Sequence, residues 1–313
     1  MTRQIRRVAI IGTGVIGASW TALFLSKGID VAATDVAPGA EDRLHEFLQV
    51  TAPQLEQLEM TGGAPGRLTF HPDVESAVKG ADLVQENGPE RLDFKQPLYA
   101  RLDALLDKDV IIASSSSGLT MSAIQTACEH HPERCAIGHP FNPPHLIPLV
   151  EIVGGKLTSE DVIDRLAAFY ATLGKRAIKL RKEVPGHVAN RLQAALWREV
   201  VYLVSEGVVT VADADAAVSW GPGLRWGVMG PTLLFHLGGG RGGIEHFFDQ
   251  FTGPMTAWWS VLGNPEITPE VRRTVVSGLM AQVGNRSIEQ LAADRDDMLM
   301  GLLAVRASHP DAI

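Results

Sequence analysis

Cysteine and tyrosine are scarce in this 313-residue chain, which contains only two of the former and three of the latter. Cys128 and Cys135 are too few for a disulfide framework or a cysteine-based zinc site, so we expect no metal centre. A chain that does not rely on disulfides is typical of a reducing compartment, and the expected location is the cytoplasm.

Long apolar runs and blocks of positive charge are also missing. The longest hydrophobic runs, such as residues 8–11, fall far short of the roughly 20 residues that a membrane-spanning helix needs. The first residues contain no apolar segment of the kind found in a secretory signal peptide. The formal net charge is −8, and no block of lysine or arginine is present to contact phosphates. Neither a membrane nor a nucleic acid is therefore an expected partner.

Short strand-like runs alternate with helical stretches in the first half of the chain. Strands are predicted at residues 7–11, 31–34, 81–84, 110–113, 135–138 and 149–153, and helices at 15–27, 38–60 (interrupted at Pro53) and 94–106. Strands separated by helices predict βαβ units and a doubly wound, mostly parallel Rossmann sheet. Beyond residue 181 the pattern is helical, beginning with 188–205 and 211–219. We therefore predict an α/β protein with a Rossmann domain over residues 1–184 and an all-α domain over residues 185–313.

A glycine-rich turn of the form G-x-G-x-x-G joins the first predicted strand to the first predicted helix. In this pattern Gly12 permits the tight turn, Gly14 lets a pyrophosphate approach the backbone, and Gly17 lets the helix pack on the strand. Asp35, at the end of the next strand, is placed to bind ribose hydroxyls and to repel a 2′-phosphate, which favours NAD over NADP. The alternatives are an FAD site and an unrelated glycine-rich turn. The predicted cofactor contacts in the turn are Gly12, Gly14, Val15, Ile16 and Gly17, because the helix N-terminus attracts phosphates.

A histidine and a glutamate lie on two consecutive strand-like runs. His139 follows the run 135–138, at the strand end where open α/β sheets bind ligands. Glu151 lies inside the apolar run 149–153, and a carboxylate buried there needs a polar partner. If that partner is His139, the carboxylate fixes the imidazole tautomer, and the other ring nitrogen can take a proton from a substrate hydroxyl. A structural histidine and an unrelated strand glutamate are the alternative.

Six segments, in order along nearly the whole chain, resemble the 3-hydroxyacyl-CoA dehydrogenase family. The similarity is greatest to its short-chain branch, which contains lambda-crystallin, L-gulonate 3-dehydrogenase and L-carnitine dehydrogenase. The segments are ENGPERL at 86–92, ASSSSGL at 113–119, HPFNPP at 139–144, PLVE at 148–151, VPGHVANRL at 184–192 and GPGLRW at 221–226. The resemblance implies an NAD-dependent dehydrogenase with a Rossmann domain and a helical domain.

The resemblance also implies a role for each matching residue. His139 would be the general base, and Glu151 would orient it. Ser117 would bind the reacting oxygen, and Asn190 would help to hold and polarise it. From the residues alone, Ser117 also fits a serine-rich turn and Asn190 a helix start. Positions that the family places around the cofactor and beside the base are Glu90, Lys95, Ser115 and Asn142.

An acidic helical segment after the second strand bears on the substrate. The family's acyl-CoA members are expected to bind CoA there through basic residues, and negative charge would repel the phosphates of CoA. A small free hydroxy acid is therefore the predicted substrate. Residues 38–66 contain one arginine, Arg43, and five carboxylates, Glu41, Asp42, Glu46, Glu56 and Glu59.

A free acid needs a cation for its carboxylate. Arg225 is the first candidate, because guanidinium binds carboxylate in a bidentate manner, and Arg191 is the second. A surface ion pair is the alternative role for Arg225. Trp226, Trp258 and Trp259 could contact a quaternary ammonium group, but a position in the core or in a dimer interface is the preferred interpretation.

The leading hypothesis is an NAD-dependent dehydrogenase that oxidises the 3-hydroxyl of an L-gulonate-like acid to the 3-keto acid. L-Carnitine ranks second, and the remaining alternatives are an L-3-hydroxyacyl-CoA dehydrogenase and a non-catalytic, crystallin-like NADH-binding protein. The helices of the second half are more apolar than one small domain needs, which predicts a homodimer through the C-terminal domain.

Overall fold

The computed structural model describes residues 4–58 and 63–309. The chain forms two compact units, Met1–Asn190 and Arg191–Ile313. Within the described residues, no helix is long and apolar enough to cross a lipid bilayer. The same residues contain no group of three or more His, Cys, Asp or Glu side chains that could hold a metal ion.

An eight-stranded sheet forms the centre of the first unit, with strand order β3-β2-β1-β4-β5-β6-β7-β8. All neighbouring strands are parallel except β6 and β7, which are antiparallel. The predicted doubly wound, mostly parallel sheet is thus confirmed. The strands are β1 (Arg7–Ile11), β2 (Asp30–Thr34), β3 (Leu68–His71), β4 (Leu83–Glu86), β5 (Ile111–Ser114), β6 (Cys135–Pro140), β7 (Leu149–Gly154) and β8 (Arg176–Lys179).

Helices pack on the sheet and bury the apolar strand residues, as a parallel sheet requires. In one of its two large apolar clusters, the ring of Trp20 stacks on Phe24 and on Tyr170, each at 5.3 Å between centroids. The other large cluster includes Tyr99 and Leu102. The helices of this unit are α1 (Val15–Ser26), α2 (Ala40–Gln57), α3 (Val74–Val78), α4 (Leu92–Leu105), α5 (Met121–Ile124) and α6 (Glu160–Thr172).

Some details of the predicted secondary structure are wrong. Helix α2 is not interrupted at Pro53, because one internal proline removes a single backbone donor and the helix continues past it to Gln57. The predicted end of that helix at Met60 lies outside the described residues. Strand β3 and helix α3 were not predicted, since both are short and neither carries a long apolar run.

The second unit is helical, as predicted. Several of its helices bury no side chain, and large apolar residues such as Trp220 (81% exposed) and Trp259 (66% exposed) lie on its surface. The remaining helices of the chain are α7 (Ala189–Ser205), α8 (Val211–Trp220), α9 (Pro222–Trp226), α10 (Pro231–Gly238), α11 (Gly243–Trp259), α12 (Pro269–Val283) and α13 (Ile288–Ala307).

Candidate active site

The glycine-rich turn lies between β1 and the start of α1. Gly12 has φ +85°, a conformation that favours glycine, and a Cβ atom at Gly17 would lie 1.9 Å from the Gly12 carbonyl oxygen. A Cβ atom at Gly14 would meet nothing within 4 Å, so space is open beside the backbone there. Gly14 is the N-cap of α1, and none of the described side chains caps it, which leaves amides of the first turn for a phosphate. The turn therefore fits a dinucleotide.

Asp35 lies directly after β2 and faces this turn. Its Oδ2 accepts hydrogen bonds from the Thr13 amide at 2.6 Å and the Thr13 hydroxyl at 3.2 Å, and its Oδ1 accepts one from the Ala37 amide at 2.8 Å. The carboxylate is thus held at the end of β2 beside the turn, where a ribose hydroxyl can also reach it.

We expect Asp35→Asn to weaken the discrimination between NAD and NADP by about tenfold or more, because bonds to a charged group contribute roughly 1.5–3 kcal/mol. The amide oxygen can still accept from Thr13, so the turn itself should persist. The ratio of kcat/KM for the two cofactors measures the effect. Asp30→Asn, at the opposite end of β2, is the matched control. An unchanged ratio in Asp35→Asn would contradict the assignment.

His139 and Glu151 lie directly opposite each other on the antiparallel strands β6 and β7. Side chains of opposed residues share one face of a sheet, and here the His139 Nδ1 lies 2.9 Å from the Glu151 Oε2. Both groups are buried, with exposed fractions of 5% for His139 and 0% for Glu151. His139 was expected just after a strand; it lies inside β6, because that strand extends to Pro140.

The second oxygen of Glu151 is also bonded. Glu151 Oε1 accepts from the amides of Val188 and Ala189 at 2.9 and 3.0 Å. Burial raises the pKa of Glu151, but the bonds from His139 and the two amides outweigh that effect and hold the pKa below its usual value. The carboxylate therefore stays ionised and accepts from His139 Nδ1, which leaves the Nε2 of His139 as the proton acceptor. No group among the described residues bonds that Nε2.

A serine-rich loop follows β5 and is held by Glu90. Glu90 Oε1 accepts from the Ser116 hydroxyl at 2.7 Å and from three successive amides, those of Ser117, Gly118 and Leu119, at 2.7–3.1 Å. Burial raises the pKa of Glu90, yet these bonds leave it lowered. Glu90 thus shapes the loop and presents the Ser117 side chain, which is exposed and has no bond to its hydroxyl among the described residues.

Asn190 lies against the same loop. Its Nδ2 donates to the Ser117 carbonyl oxygen at 3.3 Å. The structure therefore brings together the two residues that the resemblance pairs at the reacting oxygen. The segment that carries Asn190 also supplies the amides that bind Glu151, so one short stretch of chain contacts both the loop and the glutamate.

Lys95 does not lie on an open cofactor surface. Its Nζ is 2.7 Å from each carboxylate oxygen of Glu86, and both side chains are buried, with 1% and 0% exposed. The nearest Glu90 oxygen is 4.0 Å away. The ammonium therefore neutralises Glu86 inside the fold, and the structure gives no support for a direct contact between Lys95 and the cofactor.

Ser115 and Asn142 are the other two residues predicted to lie around the cofactor and beside the base. The Ser115 hydroxyl donates to Asn87 Oδ1 at 2.7 Å and accepts from Gln85 Nε2 at 2.9 Å and from Trp20 Nε1 at 3.3 Å, so it is already committed to protein partners. Asn142 is exposed in the loop after β6 and makes no hydrogen bond with His139 in the described structure. Its support of the site beside His139 stays a prediction.

Two buried groups near these strands were not predicted from the sequence. Lys175 donates to the carbonyl oxygens of Pro144 and Ile147, the latter at 2.8 Å, and so ties down the loop between β6 and β7. Burial lowers the pKa of Lys175 to about 7. His187, in a segment that the sequence had singled out, lies with its ring centroid 5.2 Å from that of His139. Neither lysine nor histidine carries a sequence signal for burial, so only the fold reveals them.

The features that bear on the substrate lie on α2 and in the second unit. Arg225 is exposed on α9 and forms no ion pair with a described acidic residue. Trp226, Trp258 and Trp259 are 40%, 58% and 66% exposed, so they are not core residues of this chain. The acidic residues of α2 that are described, Glu41, Asp42, Glu46 and Glu56, are all exposed, and Glu59 lies outside the described residues.

Family models match most of the chain, and known relatives match nearly all of it. Residues 7–184 match the model of the 3-hydroxyacyl-CoA dehydrogenase NAD binding domain, and residues 186–265 match that of the family's C-terminal domain. An L-carnitine dehydrogenase of Streptomyces griseus is 48% identical over 98% of this chain and 92% of its own length. An L-carnitine dehydrogenase of Pseudomonas sp. is 46% identical over 96% of this chain and 94% of its own.

Solved structures with the same fold include dehydrogenases that are named for other substrates. The crystal structure of 5-formyl-3-hydroxy-2-methylpyridine 4-carboxylic acid 5-dehydrogenase, an NAD+-dependent dismutase, has a TM-score of 0.84 and 33% identity, covering 97% of this chain and 98% of that one. The 3-hydroxybutyryl-CoA dehydrogenase of Escherichia coli K12 has a TM-score of 0.63 and 26% identity, covering 88% of this chain and 57% of that one.

The protein belongs to the 3-hydroxyacyl-CoA dehydrogenase family. It is an NAD-dependent oxidoreductase that acts on a CH–OH group. Both the family and the cofactor predicted from the sequence are confirmed.

Proposed function

We propose that the protein is an L-carnitine dehydrogenase, which oxidises the 3-hydroxyl group of L-carnitine to a ketone. The observation that carries the proposal is the set of relatives named L-carnitine dehydrogenase, which are 41–48% identical over nearly the full chain. They favour the second-ranked hypothesis over the L-gulonate-like acid. The exposed tryptophans of the second unit suit a trimethylammonium group by cation–π contact.

The His139 centre supplies the proton transfer that this oxidation requires. The glycine turn and Asp35 would hold NAD, which would supply the hydride acceptor for this oxidation. Nε2 of His139 takes the hydroxyl proton, and the Glu151 carboxylate stabilises the resulting imidazolium through Nδ1. Ser117 and Asn190 hold the oxygen while its bond to carbon becomes a carbonyl. The proton then leaves from His139 to solvent.

An acyl-CoA is a weaker candidate for this chain. The exposed carboxylates of α2 repel the phosphates of CoA, whereas a small zwitterion needs no contact with that helix. The carboxylate of carnitine instead requires a cation, and we propose Arg225 of the C-terminal domain for that role. Arg225 meets the chemical requirement because its guanidinium is exposed and not committed to a described acidic residue.

We expect Arg225→Met to raise KM for the hydroxy acid about tenfold to hundredfold, because a charge-assisted bond contributes roughly 1.5–3 kcal/mol. KM for NAD should not change. Arg272→Met, which removes an exposed arginine of α12, is the control. If Arg225→Met keeps the wild-type KM, the carboxylate binds elsewhere, and Arg191 becomes the next variant.

A substrate panel followed at the NADH absorbance tests the proposed function. It contains L-carnitine, D-carnitine, L-gulonate and 3-hydroxybutyrate, with acetoacetyl-CoA assayed in the reducing direction. We expect kcat/KM for L-carnitine to exceed every other value by at least tenfold. A higher value for L-gulonate or for acetoacetyl-CoA would reject the proposal in favour of that substrate. No turnover with any compound would favour a non-catalytic NADH-binding protein.

We also propose a homodimer through the C-terminal domain. Helices α9, α10 and α12 bury no side chain, and residues such as Trp220 and Phe248 are 81% and 59% exposed. Apolar surface of this extent is typical of a protein interface. The mass in solution should be twice the 33.7 kDa of the chain. A monomer at micromolar concentration would contradict the assignment.

A cytoplasmic location is the corresponding proposal for the cell. Cys128 and Cys135 are both free and buried, and their Sγ atoms lie 3.7 Å apart without a disulfide. A reducing compartment is where such a pair stays free. Fractionation of cells that express the protein tests this location. Recovery of the activity outside the cytoplasmic fraction would contradict it.

A further inference from the structure

His187 is a buried histidine that the proposed reaction does not use. It lies between β8 and α7, is 1% exposed, and its ring plane makes an angle of 52° with that of His139 at a centroid distance of 5.2 Å. Its Nε2 lies 3.0 Å from the carbonyl oxygen of Ser116. A carbonyl oxygen can only accept, so Nε2 carries the hydrogen and donates it to Ser116.

Several features of His187 oppose stability. Its backbone has φ +52°, in the left-handed region where a residue with a Cβ atom is strained. Its Nδ1 is buried and has no hydrogen-bond partner among the described residues. Burial lowers the pKa of His187, so the ring is neutral and Nδ1 is an unpaired acceptor. A glycine at this position would relieve the backbone strain, and a phenylalanine would remove the unpaired acceptor. Where such costs accumulate in one residue, function is the usual reason.

The bond from His187 reaches the loop that presents Ser117. Glu90 binds that loop through the amides of Ser117, Gly118 and Leu119, while His187 binds it through the Ser116 carbonyl group. The two residues that follow His187 donate their amides to Glu151. One short segment therefore joins the serine loop to the glutamate that orients the base.

We propose that His187 is a positioning residue, which sets the position of Ser117 relative to His139 by donating from Nε2 to the Ser116 carbonyl oxygen. The inference rests on the proposed function in one respect, namely that Ser117 binds the oxygen being oxidised. A displacement of about 1 Å in such a group can reduce turnover by a factor on the order of a hundred.

Three substitutions separate this role from simple packing. The amide of His187→Gln reaches as far as Nε2 and can donate to Ser116, whereas that of His187→Asn is one carbon shorter and cannot. His187→Phe keeps a ring but has no donor. His71→Phe is the matched control, since His71 is a half-buried histidine on the edge strand β3 whose ring bonds Thr69.

We expect His187→Asn and His187→Phe to lower kcat at least tenfold with KM for NAD unchanged, and His187→Gln to stay within about threefold of wild type. His187→Phe should change Tm little, because the removal of the unpaired Nδ1 offsets the loss of the bond to the Ser116 carbonyl oxygen. Hydrogen exchange at the amides of 117–119 should be at least tenfold faster in His187→Asn and His187→Phe, and unchanged in His187→Gln and His71→Phe.

The proposal would be overturned if His187→Asn kept both the wild-type kcat and the wild-type exchange rates. It would also be overturned if kcat fell equally in His187→Gln and His187→Asn. The exchange measurement needs no substrate, so it decides the role of His187 even if the wild-type protein does not oxidise L-carnitine. If His187→Phe does not fold, the comparison of His187→Gln with His187→Asn still decides the question.

Discussion

Replacement of His139 by glutamine is expected to lower kcat for alcohol oxidation by about 10²–10⁴-fold, the range that general base catalysis contributes. Glutamine fills a similar volume, but it has no group that accepts a proton at neutral pH. The binding of NADH, followed by its fluorescence, should be unchanged, because the glycine turn lies between β1 and α1 and His139 lies on β6.

His131→Gln is the control for this experiment. The Nδ1 of His131 also pairs with a carboxylate, Glu133 at 3.0 Å, but both side chains are partly exposed, at 38% and 48%. This histidine precedes β6 and is not opposed to Glu151. Turnover near the wild-type value in His139→Gln would show that another group takes the proton, and the reaction scheme would be wrong.

Replacement of Glu151 by glutamine is expected to lower kcat by up to about 10⁴-fold, although the new side chain has nearly the same shape. The amide oxygen can accept from Val188 and Ala189, which points the NH₂ group at the Nδ1 of His139. Nδ1 must then be an acceptor, so the ring hydrogen moves to Nε2. The nitrogen that should accept the substrate proton is blocked.

The energetic coupling between His139 and Glu151 can be measured with a double variant. Because His139 and Glu151 act as a unit, the double variant with glutamine at both positions should be no slower than the slower single variant. Glu183→Gln is the control, since Glu183 also accepts from a backbone amide, that of Ser122 at 2.8 Å, but bonds no histidine among the described residues. Losses that multiply in the double variant would mean that the two residues act independently.

The choice of substrate is a property that the sequence motifs do not predict. Segments such as HPFNPP and VPGHVANRL resemble a branch that contains both L-gulonate 3-dehydrogenase and L-carnitine dehydrogenase, so they indicate the reaction and not the acid. A contact that would separate carnitine from gulonate, such as an aromatic face against the trimethylammonium group, depends on single side chains whose spacing along the chain forms no pattern. The interpretation of the sequence therefore places an L-gulonate-like acid first among the candidate substrates, whereas the relatives that match nearly the whole chain favour L-carnitine.

The roles of Lys95, Ser115 and Glu90 show a second limit. All three match positions of the family that lie around the cofactor, yet Lys95 is covered in an ion pair with Glu86, and Ser115 is bonded to three protein groups. A motif preserves the identity of a residue but does not say which of its neighbours it binds. Glu90 binds loop amides, and this role was not predicted because its partners lie more than 25 positions away in sequence.

By itself, the sequence determined the alternation of strands and helices, the glycine turn and the acidic residue after β2. These features depend on neighbouring residues, whose spacing sets both the local backbone and the direction of each side chain. The tertiary structure alone decided that His139 and Glu151 are opposed in register, and that Ser117, Asn190 and His187 converge beside them. Those contacts join residues far apart in the chain, and they depend on how strands pair and loops fold back, which no local pattern encodes.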